Sequence, residues 1–237
     1  MIRKKPMLAQ NVGDYSRIKD NDWPLYVQPK LDGVRCLIQR EGSDLGFVVK
    51  AYSRTGKEWL NIEHILNELA PFFMENPDVI LDGELYNHEL KDDFEKIISL
   101  VRKTKPTAED RVESSEMVQF HCYDIVNEDW TFEDRNLFIN ENFGAFGKFD
   151  SDVNMIMPTP SYLVHNTEEV EAAHEDFLEM GYEGSILRKN EPYECKRSYT
   201  LMKVKDFSDA EATITGYELG KGKREGTLGK FMMTDDY

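Results

Sequence analysis

The stretch Gln28-Pro29-Lys30-Leu31-Asp32-Gly33-Val34-Arg35 sets a lysine inside a strand-like run that ends at a glycine. Successive side chains of extended backbone alternate, so Leu25, Val27, Pro29 and Leu31 point one way and Tyr26, Gln28, Lys30 and Asp32 the other. One face is apolar and the other carries chemistry. Gly33 supplies a bend before a second run, Val34 to Ile38, which sets Lys30 and Arg35 on either side of a tight turn. Such a turn gathers cations around a phosphate. A lysine amine has an ordinary pKa of about 10.4, so Lys30 is a nucleophile at neutral pH only where desolvation or nearby positive charge, from Arg35 or a bound metal, disfavours its proton. A surface lysine beside a turn glycine would give the same octapeptide.

The flanking periodicities are those of a mixed α and β chain. Phe47 to Arg54 reads as a strand ending in the polar turn Ser53-Arg54-Thr55-Gly56-Lys57. Ile62, Ile65, Leu66 and Leu69 follow helical spacing, with an end near Pro71 or in the next turn. Val79 to Tyr86 is an apolar strand interrupted by Asp82-Gly83-Glu84. Phe94, Ile97, Ile98 and Val101 form a second helix, with Asp92 and Asp93 suited to capping its start and Arg102, Lys103 and Lys105 at its end, where cations suit the dipole. Met117 to Val126 is a strand with Gln119, His121 and Tyr123 on one face, His121 serving as an ordinary strand histidine. Thr131 to about Phe143 and Thr167 to Met180 are helices, the second closed by Gly181 and holding His174 at the edge of the core.

Two later stretches carry charge. Tyr182 to Lys189 reads as a strand presenting Glu183, Ser185 and Leu187 together. Leu201 to Phe207 buries Met202 and Val204 and sends Lys203 and Lys205 to the opposite face. Two ammonium groups less than about 7 Å apart repel unless an anion lies between them, and a triphosphate would serve. Each stretch alone also has a plain reading: a basic turn, a hairpin Asp-Gly, a core aromatic, an edge strand guarded by lysines.

A chain of 237 residues can hold one large domain and part of a second. Its 29 Lys and Arg against 45 Asp and Glu give a net charge of −16, which taken alone opposes nucleic-acid binding. Net charge misleads where the basic residues cluster, and the acidic excess gathers in Glu109 to Glu116 and Glu168 to Glu179, which read as solvated helix faces or loops. Cys36, Cys122 and Cys195 have neither zinc-site spacing nor an even number, which points to a reducing compartment. There is no signal-peptide core and no apolar run of membrane-spanning length, so the expectation is a soluble, intracellular, cytoplasmic protein that meets no membrane.

Taken in order, Lys30-Leu31-Asp32-Gly33-Val34-Arg35, Ser53 to Lys57, Asp82-Gly83-Glu84, Tyr123-Asp124, Glu183-Gly184 and Lys203-Val204-Lys205 resemble the nucleotidyl-transfer motifs of ATP-dependent DNA ligases and mRNA capping enzymes. The Ser53 to Lys57 turn, and Met202 to Phe207 with the Asp-Ala-Glu-Ala run after it, are more similar to DNA ligases, of the small viral or phage type, than to capping enzymes or RNA ligases. The resemblance implies an α+β fold: an ATP-grasp-like nucleotidyltransferase domain of antiparallel sheets flanked by helices over residues 1–207. An incomplete OB-fold β-barrel would follow over 208–237, whose first strands are implied by the succession Ala210 to Tyr217, Gly220 to Gly226 and Leu228 to Met233. It implies that Lys30 attacks ATP to form lysyl-AMP, that AMP passes to the 5′-phosphate of a nick, and that the 3′-hydroxyl displaces AMP. Nucleotide contacts would come from Gln28, Leu31, Arg35, Arg54, Glu84, Tyr123, Lys203 and Lys205, with Mg2+ on Glu84 and Glu183. Gln28 stands where glutamate is common in the family. The implied partners are ATP and nicked double-stranded DNA, met as a monomer; the competing class is a nucleotide- or nick-binding module with little ligation of its own.

Overall fold

Strand alternation and helix periodicity together divide the chain into layers. The computed structural model describes residues 2–13, 15–43, 45–149, 155–205, 212–222 and 225–235. In chain order the elements are β1 (Leu8–Asn11), β2 (Leu25–Pro29), β3 (Val34–Ser43), β4 (Gly46–Tyr52), α1 (Glu63–Glu68), α2 (Ala70–Glu75), β5 (Ile80–Tyr86), α3 (Phe94–Val101), α4 (Ala108–Met117), β6 (Gln119–Ile125), α5 (Phe132–Phe143), β7 (Ile156–Pro158), β8 (Tyr162–Val164), α6 (Thr167–Glu179), β9 (Ser185–Arg188), β10 (Arg197–Val204), β11 (Ala212–Leu219) and β12 (Leu228–Asp235). The chain forms two units, Met1–Lys205 and Asp206–Tyr237.

The first unit holds two five-stranded sheets, ordered β1-β10-β9-β2-β8 and β4-β3-β5-β6-β7. Pairing is antiparallel except at β1 with β10 and β6 with β7. On the second sheet Cys36, Ile38, Leu81, Leu85, Phe120 and Cys122 bury one face against Ile65, Phe72, Phe73, Leu100, Ile139 and Phe143 of the helices. Period-two alternation then puts Arg35, Asp82, Glu84 and Tyr123 on the other face. The first sheet packs Leu25, Val27, Leu187 and Met202 against Val170 and Phe177 of α6. In the second unit β11 and β12 pair as an antiparallel two-stranded sheet. Asp206, Phe207, Lys223 and Arg224 lie outside the described residues, as does most of the Asp-Ala-Glu-Ala run.

The helix expected to end near Pro71 does so, α1 closing at Glu68, and Pro71 stands in the first turn of α2, where its missing N–H breaks no helical bond. Of the two readings left open for Glu109 to Glu116, helix face or loop, the helix holds: α4 is started by a reciprocal Thr107–Asp110 capping box. Two expectations change. Asp93 is the N-cap residue of α3 but makes no side-chain capping bond, because a 3-10 turn over His88–Asp93, capped by Asn87, already leads in. Glu183 does not share a strand face with Ser185 and Leu187. Gly184 has φ 143°, which interrupts the alternation, and β9 begins only at Ser185. No helix among the described residues is long and apolar enough to cross a membrane.

Candidate active site

Lys30 follows directly on β2, and its backbone stays paired beyond the strand. Its N–H donates to Gly184 O at 2.8 Å, and its carbonyl accepts from Glu183 N at 3.1 Å. This pairing carries Glu183 to the lysine. The ammonium of Lys30 pairs with Glu183 Oε2, and Lys205, just past β10, pairs with Oε1 of the same carboxylate. The anion beside Lys205 is therefore Glu183, shared with Lys30; Lys203 stands apart on the cavity wall.

The cavity, of about 270 Å³, has walls from both sheets of the first unit. Gln28, Lys30, Leu31 and Arg35 line it, as do Arg54, Glu84, Tyr123 and Lys203. Glu183 pairs with Lys30 on the cavity wall, and Lys205 pairs with Glu183. Gly33 makes the close approach possible, because a Cβ there would lie 2.5 Å from Leu85 O and 2.6 Å from Glu84 Cγ. Arg54 is exposed on the Ser53–Lys57 turn, which Ser53 N closes on Lys57 O at 2.7 Å.

Arg35 is held by Asp82 through two bonds, Nε to Oδ1 at 2.6 Å and a terminal nitrogen to Oδ2 at 2.5 Å. Burial alone would lower its pKa, yet the Asp82 carboxylate holds it well above the ordinary arginine value. Its guanidinium lies 5.2 Å from the Tyr123 ring centroid. Tyr123 Oη donates to Glu84 Oε2 at 3.3 Å. Burial pushes the Glu84 carboxyl up to about 8, against the opposing pull of Arg35 and of the Tyr123 hydroxyl.

Below this layer lies a network whose Arg135, Arg188 and Tyr193 were not picked out by motif. Asp124 accepts from Arg135 Nε at 2.6 Å and from Arg188 at 2.5 Å, and Arg188 Nε also donates to Gln28 Oε1 at 2.6 Å. Tyr193 donates to Asp82 Oδ2 at 2.7 Å. One signal was available: Leu81-Asp82, Asp124-Ile125 and Leu187-Arg188 each set a charge inside an apolar strand, and buried charges need partners. Arg197 and Ile186 also line the cavity. His174 is buried and bonded to Ser185 Oγ at 2.8 Å, in keeping with a core position. His121 is buried too, which lowers its pKa to about 4.

A family model described as the ATP dependent DNA ligase domain matches residues 6–205. Among curated relatives, a DNA ligase of African swine fever virus is 31% identical over 85% of this chain and 46% of its own length. A DNA ligase of Enterobacteria phage T4 is 25% identical over 91% of this chain and 51% of its own. The chain thus spans about half the length of the curated relatives it matches. Among solved structures, a Chlorella virus DNA ligase-adenylate superposes with TM-score 0.64 at 22% identity, over 98% of this chain and 79% of that one. A structure from work on Lig E DNA ligases gives TM-score 0.70 at 24% identity, over 99% and 81%.

Proposed function

The chain belongs to the ATP-dependent DNA ligase domain family, and from that premise we propose that it transfers AMP from ATP through Lys30 to the 5′-phosphate at a nick in double-stranded DNA, which it then seals. One observation supports this above the rest. Lys30 borders a nucleotide-sized cavity beside a carboxylate and a second ammonium, with Arg35, Arg54 and Lys203 around it.

In this reading Glu183 Oε2 takes the proton from Lys30 Nζ. The freed lone pair forms an N–P bond to the α-phosphorus of ATP, and the bond to pyrophosphate breaks. Lys205 keeps Glu183 oriented and compensates charge, while Lys203, Arg54 and Arg35 face the phosphates and sugar. Tyr123 takes the base, Gln28 its amino group, and Leu31 packs near it. An oxygen of the 5′-phosphate then displaces Lys30 Nζ, which regains a proton, and the 3′-hydroxyl displaces AMP. The protein's part is positioning and neutralisation of charge.

Glu84 on the cavity wall, once it has lost the proton that burial favours, and Glu183 beside Lys30 are the carboxylates that would hold Mg2+, which is bound by one or two carboxylates together with substrate phosphates rather than by an all-protein cage. When bound it would neutralise phosphate charge. Residues 208–237 are read as the opening of an OB-fold domain that meets DNA, after an adenylation domain over 1–207, and the protein as a monomer of the cytoplasm, including that of a host cell.

The test is incubation with α-labelled ATP followed by nicked duplex. Label should become covalently attached to Lys30 through a phosphoramidate that withstands alkali and is cleaved by acid, leave on addition of the nick, and yield sealed strand. A protein that binds both ligands without taking up covalent label would be a binding module and would end this reading.

A further inference from the structure

The hydrogen bonds around Gln28 fix which way its amide lies. A guanidinium only donates, so the atom that Arg188 Nε meets at 2.6 Å is Oε1. The amide nitrogen then donates to Ser161 Oγ at 2.8 Å and towards Tyr123 O at 3.4 Å. Ser161 gives its own proton to Asn136 Oδ1 at 3.1 Å, so it must accept from Gln28, and the orientation is set a second time. Arg188 is itself held by Asp124 at 2.5 Å, a carboxylate that Arg135 grips from its other oxygen at 2.6 Å. Gln28 is 1% exposed and lines the cavity. Both amide hydrogens are engaged, and so is one of the two lone pairs on Oε1. What remains is a single acceptor site.

We infer that Arg188 is a positioning residue for nucleobase choice: by holding the carbonyl oxygen of Gln28 available to the base, it makes the cavity accept a 6-aminopurine and refuse a 6-oxopurine. The inference rests on the reading that a purine nucleotide occupies this cavity. An amino group at the purine 6-position donates to Oε1. An oxo group there would bring two acceptors together in a buried place, and unmet buried polar groups are what give such sites their discrimination. Without Arg188 the amide is held only from its nitrogen side, and because the Ser161 hydroxyl can donate as well as accept, it can swing its proton from Asn136 to the amide oxygen and let the amide turn its NH2 towards a 6-oxo group. A carboxylate has no wrong way round, so glutamate at this position would not need the arginine.

The full chain is to be labelled in parallel with ATP, the 6-unsubstituted purine riboside triphosphate and inosine triphosphate. Adduct should form fastest with ATP and slowest with the 6-oxo nucleotide, which should trail the unsubstituted one by about tenfold or more. Arg188→Lys keeps a cation beside Asp124 but loses the planar fork that reaches Gln28. Its ratio of ATP to inosine triphosphate labelling should fall about tenfold, and adding Gln28→Glu should restore it. An arginine with only a structural role would slow every nucleotide alike and gain nothing from Gln28→Glu. An unchanged ratio in folded Arg188→Lys, a double variant that does not recover, or wild-type protein that takes the 6-oxo nucleotide as well as the unsubstituted one would each overturn the inference. If Arg188→Lys does not fold, the wild-type series decides. Wild-type protein that forms no adduct with any nucleotide counts against the proposed function instead, and the base order is then read from equilibrium binding of the same three nucleotides.

Discussion

Two charged clusters serve the same cavity and are built on opposite terms. Beneath it, the side chains of Asp124, Arg135 and Arg188 are no more than 4% exposed, and Asp124 meets both guanidiniums in hydrogen-bonding geometry. Beside it, Lys30, Glu183 and Lys205 are 17–30% exposed, and one carboxylate serves two ammonium groups. Burial makes a charge costly unless its partners are fixed, so the deep cluster holds one geometry. Partial solvation lets the second cluster exchange partners, as a lysine must if it is to give up a proton and take a phosphorus. The depth of each cluster matches the part proposed for it.

The largest effect should come at the shallow cluster, in chemistry rather than stability. Lys30→Ala should lose covalent AMP labelling altogether, and Lys30→Arg should do no better, because a guanidinium keeps its proton. Label surviving on either would move the nucleophile elsewhere. At the deep cluster, Asp124→Ala leaves two buried guanidiniums facing each other and should cost about 3–5 kcal/mol by urea unfolding. A loss below about 1 kcal/mol would remove the contrast between the clusters.

Between the two lies the Tyr123–Glu84 layer. Tyr123→Ala should weaken ATP binding by about 1–3 kcal/mol in calorimetry, with Phe tolerated, if the ring carries the base. Glu84 tests burial by pH. Its carboxyl, pushed up to about 8, keeps its proton in the folded chain where the unfolded chain, with the ordinary value of 4.5, has lost it. Its contribution to stability is therefore full below the unfolded value and lost as pH rises through the folded one. Glu84→Gln, which cannot ionise, should be more stable than wild type by about 1–2 kcal/mol above pH 8, a figure reduced for partial exposure, and should lose that margin near about pH 5. A pH-independent difference in denaturation midpoints would show that Glu84 does not titrate in this way. The smallest effect belongs to Lys205→Ala, expected to change stability by less than about 1 kcal/mol while slowing adenylylation. With Lys203→Ala added, the kinetic losses should be close to additive, because Lys205 acts through Glu183 and Lys203 on the phosphates, and losses well short of additive would show that both act on one phosphate group.

Local rules were enough to read much of this chain. Alternation along Leu25 to Asp32 and Met117 to Val126 is a property of consecutive residues, and it put Gln28 with Lys30 on the polar face of the first and Tyr123 with Gln119 and His121 on one face of the second. Helical spacing found the helices at Glu63, Phe94, Phe132 and Thr167 in the same way. It failed at α4, whose acidic residues show little apolar stripe, and at Glu183, where a glycine of positive φ breaks the two-residue period. What no local rule supplies is which strand lies beside which. Lys30 meets Glu183 across 153 residues of chain, and Arg188 meets Gln28 across 160. Period two tells which face a side chain takes but not whose face it will meet. The partners of Asp124, the orientation of the Gln28 amide and the carboxylate shared by two lysines were decided only when the sheets closed on each other, because a buried charge is tolerated solely where tertiary packing delivers its counter-charge.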